Sequence, residues 1–163
     1  MNCIIGTTRS IHELTHGDIK MIAAMLEKDQ RQLSRASFIS KKAFSPINGG
    51  LLLRKGESFI AVHNGSEEVF SGEEFHCVSD VNGFKYTFVQ AVPHSFLMTE
   101  RVTDRHYWTG FPLVSATGGH SIFVLLSSVR RKVILLPCAE DDVYIVVDYK
   151  REVLTSPPPI VPC

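Results

Sequence analysis

The sequence predicts an α+β domain in which one amphipathic N-terminal helix lies on a mainly antiparallel, curved sheet, with a proline-rich tail behind it. Three observations carry this reading. Apolar residues recur at helical spacing only between Asp18 and Arg35; from Leu51 onward short apolar or alternating runs are punctuated by turn residues; and no second helical pattern is available to cross between parallel strands.

The helix is predicted from Ile19, Ile22, Ala23, Leu26 and Leu33, with Lys20, Glu27, Gln30, Arg31 and Ser34 elsewhere on the wheel. Two capping boxes compete for its start, Ser10 with Glu13 and Thr15 with Asp18. Strands are predicted at Leu51 to Arg54, Ser58 to His63, Glu74 to Val78, Phe84 to Val92, Ser121 to Leu126, Lys132 to Leu136 and Val143 to Tyr149. Lys55-Gly56, Asn64-Gly65 and Asn82-Gly83 read as tight turns, which makes neighbouring strands antiparallel hairpins. Residues 1–153 form one domain in this reading, and 154–163, with TSPPPIVPC, form an extended polyproline segment.

Composition narrows the function classes. The 163 residues carry 17 basic and 17 acidic side chains and are 44% hydrophobic, so no global field draws the chain to nucleic acid or anionic lipid. No apolar run approaches the roughly 18 residues of a membrane helix, and no secretory signal is read at the start. Four separated cysteines fit free thiols in a reducing compartment, so the expected location is intracellular, cytoplasmic or nuclear. Charge is nevertheless uneven: nine basic and four acidic residues lie between Arg9 and Lys55, two basic and eight acidic between Glu57 and Asp104. Arg31, Arg35, Lys41 and Lys42 are the candidate phosphate-binding patch, the one route by which this chain would meet nucleic acid.

Three short strings carry chemistry. His12-Glu13-Leu14-Thr15-His16 has the HExxH spacing that, on a helix, puts two imidazoles on one side for zinc and a glutamate beside the bound water. Over these five residues the chain resembles the active-site helix of thermolysin-like zincins, which implies His12 and His16 as metal ligands and Glu13 as general base. No third ligand follows: residues 35–41 hold no glutamate, and Ile22 stands six after His16. Gly118-Gly119-His120 at the head of an apolar strand is similar to the histidine strand of papain-like hydrolases. That resemblance implies His120 as base, Cys77 as the candidate thiol, and Asp142 or Asp148 as the orienting group. Asp148-Tyr149-Lys150 resembles the DxK strand of PD-(D/E)xK nucleases, with the acid on metal.

Each catalytic pattern lacks an obligatory member, so the favoured function is a non-enzymatic protein-interaction module without a cofactor, its partner another protein. A small cysteine or zinc hydrolase is the alternative. Candidate partner-binding residues are the aromatic group Tyr107, Trp108 and Phe111, and Pro159 with Pro162 in PxxP spacing.

Overall fold

The chain leaves the helix for a strand earlier than its periodicity predicts. In the computed structural model, which describes residues 3–5, 10–46, 50–116 and 119–148, helix α1 spans His16–Leu26 rather than Asp18 to Arg35. Thr15 caps it, accepting from the Asp18 N–H while the Asp18 carboxylate accepts from the Thr15 N–H, both at 3.1 Å. Glu27 ends it by turning left-handed at φ 54°, and its N–H and that of Lys28 close back on Ala23 and Ala24. Leu33 falls seven residues after Leu26, two helical turns on, so its helical spacing is a coincidence of period; it opens a strand after a short 3-10 turn at Gln30–Gln32. The competing box Ser10 with Glu13 is itself a strand.

Fourteen strands surround this helix among the described residues. They are β1 (Cys3–Ile5), β2 (Ser10–Glu13), β3 (Leu33–Ser40), β4 (Lys42–Ser45), β5 (Leu51–Arg54), β6 (Ser58–His63) and β7 (Ser66–Asp80). The remainder are β8 (Lys85–Phe96), β9 (Met98–Thr99), β10 (Val102–Thr103), β11 (Leu113–Ala116), β12 (Ile122–Leu125), β13 (Val129–Pro137) and β14 (Val143–Val147). Every pairing is antiparallel.

The curvature predicted for the sheet goes as far as closure. β6 pairs with β7, β7 with β8, β8 with β11, β11 with β14, β14 with β13, and β13 returns to β6, so six strands close a ring. Inward positions from around this ring meet in one cluster: Ile60, Val69, Val114, Val133 and Val146, with Phe96, Leu135 and Tyr144 against it. The β7–β8 hairpin runs on beyond the barrel, where β7 adds β3 and then β2 on one side and β8 adds β12 on the other. There α1 and the preceding Leu14 cover the sheet, burying Leu14, Ile19, Ile22 and Ala23 against Val78, Phe88 and Phe123. A third cluster joins the small sheet β1–β4–β5, through Ala43 and Leu53, to Phe59, Phe70, Phe75 and Val89 of the main sheet.

A bulge divides the long hairpin. Gly72 pairs with Ala91 and Glu74 with Gln90, which leaves Glu73 as the extra residue. Gly72 lies close to the neighbouring backbone there: its N–H donates to the Glu57 carbonyl at 2.9 Å, and a Cβ would stand 3.4 Å from that same oxygen. At the far end Asp80 organises the turn, accepting from the N–H groups of Asn82 and Phe84 and from the Tyr86 hydroxyl, with the Lys28 ammonium at 3.6 Å. Burial pushes its carboxyl up, but these donors win and hold it below the usual aspartate range.

No helix among the described residues is long and apolar enough to cross a membrane. The tail 154–163, including Pro159 and Pro162, lies outside the described residues, as do Gly118, Tyr149 and Lys150.

Candidate functional site

The barrel interior contains a line of polar side chains. Ser58 lies two residues before Ile60, Ser71 two after Val69 and His94 two before Phe96, so the period of the strand turns all three toward the inward cluster. Ser71 Oγ is 2.7 Å from His94 Nε2 and 3.1 Å from Ser58 Oγ. The register builds this line: Ser58 stands opposite Ser71, and Val69 opposite His94. The His94 ring meets Tyr144 edge-on at 6.3 Å, while its buried Nδ1 has no hydrogen-bond partner. Desolvation holds its imidazole below the ordinary histidine pKa, so it is neutral near pH 7.

Two members of this line, Ser58 and Ser71, border an open cleft where β13 changes partners. Val133 is paired with Ser58 of β6, and the next residue, Ile134, with Val147 of β14. Ser58 and Ser71 form part of the cleft wall with Val133, Ile134, Leu135 and Val147; Glu57 and Lys132 complete its polar part. Those two are ion-paired at 2.9 Å. Burial raises the Glu57 carboxyl, but the hydrogen bonds from Lys132 and from the Arg54 N–H outweigh it and bring it below its usual value.

The protein carries its own point of comparison at His76, which is 2% exposed beneath α1. There Nδ1 lies 3.0 Å from Ser37 Oγ and Nε2 3.0 Å from Gln90 Oε1. Because Oε1 only accepts, the network assigns the proton to Nε2 and leaves Nδ1 to accept the serine hydroxyl, which satisfies both nitrogens in one neutral tautomer. His12 packs against this ring at 6.0 Å.

The predicted constellations fare differently. His12 and Glu13 are on strand β2 and His16 is the first residue of α1, so the helical HExxH arrangement is corrected: the chain breaks between the two histidines and they share no helix face. No cluster of three metal-ligating side chains occurs among the described residues. Cys77 sits in β7 opposite Thr87, whereas Ile122, just after His120, is opposite Ala91; four residues of strand separate those levels by roughly 13 Å. Burial raises the Cys77 thiol, the reverse of what a nucleophilic cysteine needs, and Asp142 is in the turn before β14. The papain-like trio is therefore not assembled. Asp148 is held by Arg131, whose Nε and Nη2 both donate at 2.8 Å.

The four basic residues are not one patch either. Arg31 is engaged by Asp29 at 3.2 Å at one end of β3, Arg35 lies within β3, and Lys41 and Lys42 follow its other end, about 25 Å away along an eight-residue strand.

The aromatic group survives as a surface feature. It belongs to an excursion, residues 97–113, between β8 and β11 that is tied at its base by Leu97 N–H to Leu113 O, Asp104 N–H to Leu97 O and Leu113 N–H to Asp104 O. Its tip is held by Arg105 donating to Gly110 O at 2.8 Å, by His106 with Thr109 at 3.0 Å and by Gly110 at φ 70°. Trp108 is 60% exposed there, with Tyr107 edge-on to it at 5.6 Å, and Met98 and Val102 are exposed on the adjoining hairpin. Phe111 is half-buried.

Sequence reasoning missed Ser71 and His94. The only signal was a polar residue at an inward position of two otherwise apolar alternations, Val69-x-Ser71 and His94-x-Phe96, and that signal becomes specific only when the register is known. Compared with known proteins, the chain matches no family model, no curated protein and no solved structure at a significant level, so the reading of its function rests on this geometry.

Proposed function

We propose that the chain is a protein-interaction module that docks through the excursion between β8 and β11, with Trp108 as its anchor. The observation that carries this reading is a tryptophan 60% exposed on a loop pinned by its own hydrogen bonds, beside exposed Met98 and Val102. Exposed tryptophans on ordered loops are the side chains that most often dominate an interface, because they bring large apolar area with little conformational freedom to lose. Free thiols at Cys77 and Cys138 fit a partner inside the cell.

The test is affinity capture on immobilised wild-type chain against two variants. Trp108→Ala is expected to weaken a captured partner about 30-fold or more, equivalent to ~2 kcal/mol, while Lys20→Ala on the exposed side of α1 retains it. Equal recovery on Trp108→Ala and wild type would remove Trp108 as the anchor.

A further inference from the structure

Independently of that docking surface, we propose that Ser71 is a nucleophilic serine with His94 as its general base, and that the cleft at the β13 partner switch takes the acyl part of a carboxylic ester. The geometry has three parts. Ser71 Oγ is 2.7 Å from His94 Nε2, within the reach required for proton transfer. Ser58 Oγ, 3.1 Å from Ser71 Oγ, can donate to that oxygen and so orients the Ser71 hydroxyl with its proton toward His94. Both serines line the open cleft, whose walls Val133, Leu135 and Val147 suit a short apolar acyl group.

The contrast with His76 argues against a purely architectural pair. Where this protein uses a buried histidine to tie strands together, it satisfies both ring nitrogens. At His94 it bonds only the nitrogen that faces Ser71 and leaves Nδ1 without a partner, a cost expected at sites where a group is kept for something besides stability. In the tautomer with its proton on Nδ1, Nε2 accepts the Ser71 proton.

The step balances as an acyl transfer. Ser71 Oγ forms a bond to the acyl carbon, the bond from that carbon to the alkoxy oxygen breaks, and the Ser71 proton passes through His94 Nε2 to the departing alkoxide. Water then attacks the acyl-serine with His94 again taking the proton, releasing the acid and restoring Ser71. No carboxylate steadies Nδ1, so the rate is that of a two-residue site, slower than a triad.

An alkyl fluorophosphonate tests this on the full chain, because Oγ attack on phosphorus expels fluoride and leaves a stable adduct that mass spectrometry maps. The expected result is one adduct, on Ser71, formed by native protein and not by protein unfolded in urea. His94→Gln, which can still hydrogen-bond Ser71, should slow labelling about 100-fold or more, Ser71→Ala should abolish it, and Ser58→Ala should slow it several-fold. Native protein left unlabelled under conditions that saturate a serine hydrolase overturns the proposal, whatever the variants do. So does an adduct that forms equally fast in urea, or one that forms undiminished in a folded His94→Gln variant.

Discussion

The two halves of the β7–β8 hairpin place a histidine on the same face of the sheet and treat it in opposite ways. Beyond the bulge, beneath α1, His76 is sealed at 2% exposure and bonded on both sides. Before the bulge, inside the barrel, His94 has one partner and that partner lines an open cleft. Covering one half with a helix permits a fully satisfied polar core; closing the other half on itself leaves an opening wherever a strand changes partners.

Perturbing the helix-covered half at its apolar base should produce the largest effect. Phe88, fully buried against α1 and Phe123, is expected to cost about 3–5 kcal/mol as Phe88→Ala, read by urea denaturation. A loss below about 1 kcal/mol would mean that α1 is not part of the cooperative unit.

Serine deletions then compare the halves directly. Ser37→Ala strips a partner from a sealed ring nitrogen and should cost about 1–3 kcal/mol, whereas Ser71→Ala, at the cleft, should cost about 1 kcal/mol or less. Reversal of that order, measured in the same denaturant series, breaks the comparison.

A change of pH sharpens it further. Burial lowers the folded-state pKa of both His76 and His94 below 6.5, so between 6.5 and those lower values the unfolded chain binds protons that the folded chain refuses. Stability contributed by the neutral imidazoles is complete above about pH 7 and declines as pH falls through 6.5. The melting temperature should therefore drop from pH 7.5 to pH 5.5, and the drop should shrink in His76→Gln; a drop of the same size in that variant removes His76 as its source. The smallest effect belongs to the excursion, where Trp108→Ala should move stability by no more than about 0.5 kcal/mol by the same denaturation measurement.

How much of this was legible in sequence depends on the range of the contacts involved. β5 and β6 are found with the bounds read from sequence, because Lys55-Gly56 and Asn64-Gly65 bracket them with local turn chemistry; Asn64 and Gly65 both adopt positive φ, at 51° and 80°. β3 was hidden because two of its buried positions are Ser37 and Ser40 while Phe38 faces outward at 44% exposure, which inverts the usual apolar alternation. Ring closure was hidden for another reason: β6 meets β13 across pairs such as Ala61 with Val129, and nothing local encodes that register. The candidate site inherits both difficulties. Trp108 was visible as an aromatic string, whereas Ser71 and His94 become neighbours only through a hairpin interrupted by the Glu73 bulge.

The ring also imposes an order on synthesis. Its first three strands, β6 to β8, follow one another and can pair as soon as they leave the ribosome, but the two hydrogen-bonding edges of that meander are joined only by β11, β13 and β14. β11 can join β8 as soon as residues 113–116 emerge, but until residues 129–147 have been made β6 and β11 remain open edges, the arrangement most prone to pairing with another chain. A chain halted before β13 is complete should therefore aggregate rather than accumulate as a partly folded pool.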